Sequence, residues 1–121
     1  MSVQWLKSLN IIKEDLSASG VRFVVKRNGT VEKYNREKIL NAIHKAIRAV
    51  RSGEDLELAD RLTTQVEEKL REFLKGRHPN SAPAIEEIQD IVETVLIESR
   101  QVDIAKAYIL YRARHEAMRD T

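Results

Sequence analysis

The chain has 121 residues, 42% hydrophobic and 33% charged, with a net charge of +2 at pH 7. This is the size of one globular domain with a single modest core. The lack of any cysteine excludes disulfides, thiolate metal centres, iron–sulfur clusters and thiol nucleophiles. The small net charge falls short of a nucleic-acid footprint, and no apolar run approaches the roughly 20 residues that span a bilayer.

Residues 1–7 lack the basic-then-apolar layout of a signal peptide, so the cytoplasm is the expected compartment. Trp5, Leu6, Leu9, Ile12 and Leu16 recur at helical spacing and predict an amphipathic helix over residues 3–16. Ser17, Ala18, Ser19 and Gly20 read as its stop and a short linker.

From Val21 the period becomes that of a strand. Val21, Phe23, Val24 and Val25 are β-branched or aromatic, and Thr30 to Tyr34 forms the return strand. Asn28-Gly29 between them is the strongest short hairpin signal, because a type I′ turn needs positive φ at both central positions. A two-residue loop sets Arg27 opposite Thr30, Lys26 opposite Val31, Val25 opposite Glu32 and Phe23 opposite Tyr34. Val24, Lys26, Val31 and Lys33 then share one face, and Phe23, Val25, Arg27, Thr30, Glu32 and Tyr34 the other.

Asn35 is a good N-cap for the next helix. Its inward stripe is Ile39, Leu40, Ile43, Ala46, Ile47 and Val50, and Gly53 ends it. A second helix runs from about Glu54 to Leu74, with Leu58, Leu62, Val66, Leu70, Phe73 and Leu74 inside. The stretch from Gly76 to Pro83 holds both prolines and reads as a loop. A third helix begins near Ile85 and turns Ile88, Ile91, Val92, Val95 and Leu96 inward. A fourth spans about Val102 to Met118 on the spacing of Ala105, Tyr108, Ile109 and Arg112. The expected fold is mainly α, an α+β arrangement in which a β-hairpin caps a four-helix bundle, with an N-terminal helix added. The expected organisation is residues 1–20 as helix and linker, 21–115 as the domain, and 116–121 as a tail.

The groups that carry chemistry gather at the hairpin. Lys26, Arg27, Asn28 and Gly29 form its tip, and Glu32, Asn35 and Lys38 follow closely. Cations beside a turn with free backbone N–H groups bind phosphate oxygens, and a helix N-terminus after Asn35 adds partial positive charge. The combination suits a polyphosphate. It also suits a solvated turn whose charges protect an edge strand.

Three ordered blocks separate these readings. Val24-Val25-Lys26-Arg27-Asn28-Gly29 with Val31-Glu32 and Asn35-Arg36-Glu37-Lys38-Ile39 resembles the opening of the ATP-cone, the regulatory domain of ribonucleotide reductases and of the zinc-containing repressor of reductase genes. Ile85 to Glu93 and Ile104 to Arg112 resemble its later blocks. The resemblance covers about residues 21–115 and is specific as a set. It implies four helices under a small three-stranded sheet, with ATP or dATP, accompanied by Mg2+, as effector between them. It places Val24 near the nucleotide, Lys26, Arg27 and Lys38 on phosphates, and Glu32 and Asn35 at matching polar positions. Gln89 is a further candidate contact, and Arg114 falls near a basic position of the last helix. Asn28 stands where the family commonly has Asp and keeps the tolerance of positive φ. Ala82 to Ile85 is the place for a third strand.

Other constellations carry less. His44, His78 and His115 show no metal-ligand spacing, so no metal site is expected. Glu67-Glu68, Glu86-Glu87 and Glu93 read as solvated helix faces, and Tyr108 and Tyr111 as bundle packing. No nucleophile elbow or P-loop surrounds any Ser or Thr. The reading is an allosteric adenine-nucleotide sensor and not itself an enzyme, acting on a reductase or repressor partner or through homo-oligomerisation. A nucleic-acid-binding domain using Lys26, Arg27, Arg100, Arg112, Arg114 and Arg119, or a pure oligomerisation module, are the alternatives. The N-terminal stripe needs a surface to cover it, on its own bundle or on a neighbouring chain.

Overall fold

The structure, a computed structural model, describes residues 20–77 and 81–120, with backbone alone at residues 117, 119 and 120. The expected N-terminal helix over residues 3–16 lies outside the described residues. The element order is β1 (Phe23–Val25), β2 (Val31–Lys33), α1 (Arg36–Val50), α2 (Leu56–Leu74), α3 (Ile85–Glu98) and α4 (Val102–Asp120). The mainly α fold with a hairpin cap is as expected. The third strand is reduced to one parallel bridge, Val25 to Ala84, with the Val25 N–H donating to Pro83 O at 2.9 Å.

Local chemistry starts the helices where the sequence marks them. The Asn35 side chain accepts from Glu37 N at 3.0 Å, and Asp55 accepts from Leu58 N at 3.0 Å. Glu87 reaches back to the Ala84 N–H at 2.9 Å. Each helix of the bundle packs on two neighbours, α1 and α3 each lying against both α2 and α4. Ile43, Ile47, Leu62, Val66, Leu70, Leu96 and Ile104 are buried at the centre, and full burial of such a side chain stabilises by about 1.5–3 kcal/mol. Val50 and Phe73 were expected inside and are each 41% exposed. Val50 lies in the last turn of α1, and Phe73, one residue from the end of α2, lies 4.9 Å from the Arg77 guanidinium. No described helix is long and apolar enough to cross a membrane.

The hairpin corrects the expected register. Phe23 pairs with Lys33, Val24 with Glu32 and Val25 with Val31, a slip of one residue. The Gly29 N–H donates to Lys26 O at 2.9 Å and Lys26 N to Thr30 O at 2.7 Å. The loop therefore has three residues, with Gly29 alone at φ +86°. The reason lies in Asn28. Its Oδ1 accepts from Thr30 N at 3.0 Å and from the Thr30 hydroxyl at 2.6 Å, so Asn28 is held in the turn and the left-handed position passes to glycine. A slip of one residue exchanges the partners across each face. Val24 and Lys26 now share theirs with Glu32 and Tyr34 instead of Val31 and Lys33.

Candidate functional site

That shared face roofs a cleft of about 180 Å3 between the hairpin, α1, the start of α3 and the second half of α4. Val24 from β1, Ile39 and Ala42 from α1, and Ile88 and Val92 from α3 make its apolar wall. Asn35 and Lys38 lie on the same side of α1 as Ile39, at the spacing that brings helical residues onto one face. Gln89 sits beside Ile88. From α4, Tyr108, Tyr111, Arg112 and His115 come round by the same rule and close the cleft. Tyr108 is 4% exposed, and burial pushes its phenol well above the ordinary tyrosine value. The Tyr111 and His115 rings lie 4.2 Å apart, and Lys45 Nζ stands 5.8 Å from the Tyr111 ring.

Lys26, Lys38, Arg27 and Arg112 are each engaged by carboxylates. Lys38 Nζ donates to Glu32 Oε1 at 3.0 Å, and Lys26 Nζ lies 3.8 Å from Glu32 Oε2. The hydrogen bond from Lys38 holds the Glu32 carboxyl below its ordinary value, against a smaller opposing effect of burial, and the charges of Lys38 and Lys26 add to it. Arg27 reaches from the hairpin tip to Glu86 on α3 at 3.6 Å and to Glu116 on α4 at 3.9 Å. Arg112 donates to Asp90 at 2.7 Å, Glu93 at 3.0 Å and Glu116 at 3.3 Å. Burial opposes its charge, but the hydrogen bonds to Asp90 and Glu93 outweigh that and push its pKa up.

Of the residues singled out in the sequence, Val24, Glu32, Asn35, Lys38 and Gln89 line the cleft. Lys26 flanks it through Glu32, while Arg27, Asn28 and Gly29 form the hairpin tip above it. Arg114 is not brought in. It lines a separate groove between α1 and α4, because two residues along a helix turn the side chain by about 200° from Arg112. Tyr34, Arg112 and His115 were not singled out for the site. The spacing of Tyr108, Tyr111, Arg112 and His115 on one helical face is the signal that finds the last two. Tyr111, taken for packing, also lines the cleft.

Of the carboxylates expected on solvated helix faces, Glu68 is exposed and Glu86, Glu87 and Glu93 are half-exposed, but Glu67 is not. Glu67 is 2% exposed and accepts from the Tyr34 hydroxyl at 2.7 Å and from Arg36 Nε at 2.9 Å. Arg36 further contacts Asp60 at 2.8 Å and the Thr64 hydroxyl at 2.9 Å. These bonds fix the segment that carries Tyr34 and Asn35 into the cleft. Among the described residues, no group of His, Asp and Glu is placed to hold a metal ion. The arrangement can take a ligand with a flat apolar part, hydrogen-bonding edges and an anionic end.

The family model of the ATP cone domain matches residues 22–117. The chain is 40% identical over 108 residues to the vitamin B12-dependent ribonucleoside-diphosphate reductase of Thermoplasma acidophilum, covering 83% of this chain and 13% of that protein. It is 34% identical over 104 residues to the ribonucleoside-diphosphate reductase subunit alpha of Chlamydia pneumoniae, with 79% and 10% covered. Against the anaerobic ribonucleoside-triphosphate reductase of Haemophilus influenzae it is 32% identical over 97 residues, with 80% and 13% covered. The chain thus spans between about a tenth and an eighth of the length of these curated relatives. Because the matched stretch takes in the hairpin, the bundle and every residue of the cleft, the chain belongs to the ATP-cone family of nucleotide-binding regulatory domains.

Proposed function

We propose that this chain senses adenine nucleotide, binding ATP or dATP in the cleft under the hairpin. The observation that supports this best is the meeting of an apolar, aromatic-lined slot with Lys26, Lys38 and Arg27 at its mouth. The base enters against Val24, Ile39 and Ile88, and the amides of Asn35 and Gln89 each offer the donor and acceptor that an adenine edge requires. At about 180 Å3 the slot is smaller than the usual pocket for a whole ligand of this size. The phosphates therefore run out toward the hairpin tip. There Lys26, Arg27 and Lys38 meet them beside the N-terminus of α1. The accompanying Mg2+ arrives with the phosphates.

The nucleotide-binding unit is residues 21–115, with residues 1–20 and 116–121 as appendages. Its action is allosteric. The two effectors favour different arrangements of the domain, and these change its association with itself or with a reductase or repressor chain. A nucleic-acid reading has less support, since Arg112 is only 15% exposed and is turned to Asp90 and Glu93.

The test is calorimetric titration of the full chain with ATP, dATP and GTP, with thermal unfolding alongside. Both adenine nucleotides are expected to bind, and GTP much more weakly. Ligand at 100 times its Kd adds about 2.7 kcal/mol and raises Tm by several degrees. A folded chain that gives neither heat nor a shift with ATP and dATP ends this reading.

A further inference from the structure

A larger groove, of about 640 Å3, runs between α1 and α4 and shares Tyr111 and His115 with the cleft. Ala46, Ala49 and Ala107 floor it, so the backbones of α1 and α4 lie close to its surface. Apolar side chains stand along it: Val50 is 41%, Leu110 57% and Met118 74% exposed. The cause is that α4 is apolar on two sides. Ile104, Ala105 and Tyr108 enter the core, while Leu110 and Met118 point away from it. A continuous apolar groove of this kind marks a docking surface.

The chain carries an occupant of matching dimensions. Residues 3–16 bear Trp5, Leu6, Leu9, Ile12 and Leu16 at the spacing of one helical face. As a helix they measure roughly 21 Å, and the groove runs from Asp103 to Met118, roughly 22 Å of α4 at the same rise. Only the short stretch from Leu16 to Gly20 separates the stripe from Val21, which is 3% exposed in the core. That tether reaches up to roughly 13 Å and keeps the segment at an effective concentration on the order of millimolar beside its own bundle. A second copy of the chain at micromolar concentration competes poorly.

We propose that residues 3–16 dock as a helix in the α1–α4 groove of their own molecule. The docked segment backs onto Tyr111 and His115 and so forms a second layer behind the nucleotide cleft. This inference does not depend on which nucleotide the cleft takes.

Trp5 is the one tryptophan of the chain and reports on the segment directly. Its emission in the native full chain is expected to be blue-shifted, and acrylamide quenching severalfold weaker than in urea. Leu110→Glu, or Ala49→Glu should the first variant fail to fold, is expected to move both to the values of an exposed indole while circular dichroism still shows cooperative unfolding. Ile97→Glu, an equally exposed apolar position on α3, is the control and leaves Trp5 unchanged. The proposal is overturned by an exposed Trp5 in the native chain, by a shielded Trp5 that neither groove variant disturbs, or by shielding that is lost on dilution, which assigns the groove to a second copy.

Discussion

The hydroxyl of Tyr34 donates to Glu67 at 2.7 Å across 33 positions of chain. It ties the exit of β2 to the middle of α2, and the other Glu67 oxygen takes Arg36 Nε at 2.9 Å. Tyr34→Phe should cost about 1 kcal/mol, the usual net value of one hydrogen bond. Glu67→Ala removes one partner of a buried ion pair and should cost about 3 kcal/mol. Because both changes delete the same bond, the double variant should lose less than the sum. Urea unfolding of the three variants measures this, and additive losses would mean that the two groups do not act together.

Lys26 and Lys38 should matter more for nucleotide than an ordinary lysine. A hydrogen bond to a charged group contributes about 1.5–3 kcal/mol, which is about ten- to 150-fold in affinity. Lys26→Ala and Lys38→Ala should weaken ATP binding by that order with the fold intact. Lys75→Ala should not, since Lys75 lies on an exposed helix end, 3.3 Å from Glu72. Equal small effects at all three positions would reduce the hairpin tip to a solvated turn.

Acid should act on Glu32 below its ordinary range. Its carboxyl is held under 4.5, first by the Lys38 hydrogen bond. A folded value lower than the unfolded one contributes stability that is present above about pH 4.5 and is lost as pH falls through the folded value. Carboxyl chemical shifts should show Glu32 titrating below 4.5 in the native chain and moving up toward it in Lys38→Ala. An unchanged midpoint in that variant would remove Lys38 as the cause.

The hairpin loop makes its own demand. Gly29 sits at φ +86°, with open space where a Cβ would stand. Gly29→Ala should therefore cost about 1 kcal/mol through backbone strain alone. Asn28→Asp keeps the oxygen that Thr30 uses and should be nearly neutral, whereas Asn28→Ala should cost about 1 kcal/mol. Thermal unfolding orders the three, and an Asn28→Asp variant as damaged as Asn28→Ala would contradict this account of the turn.

ATP and dATP should give different mass distributions in sedimentation velocity, as two effectors of one allosteric domain. A monomer in both cases would assign the response to a larger partner chain.

The helices were legible because their inward stripes repeat every three or four residues, and Asn35 and Asp55 cap two of them as such residues do. The hairpin half of the cleft was legible because its residues are close in sequence. The register was not, since Asn-Gly serves both two- and three-residue loops, and the choice rests on where the Asn28 oxygen turns. Burial of Glu67 was not legible either, because its partners Tyr34 and Arg36 lie 33 and 31 positions away. Arg114 and Arg112 differ by two steps of helical phase, which a sequence pattern resolves only when the helix axis is already placed.

Three cations around the cleft already have carboxylates: Glu32 for Lys26 and Lys38, Glu86 and Glu116 for Arg27. An anion that lands on any of these three would therefore have to dislodge a resident one. Added salt loosens the resident pairs along with the incoming contacts, so the dependence of nucleotide binding on ionic strength should be shallower than the number of cations suggests. The same exchange discriminates by charge density. A triphosphate would bring several oxygens to bear on three cations at once, while a single phosphate would compete with each carboxylate on nearly equal terms.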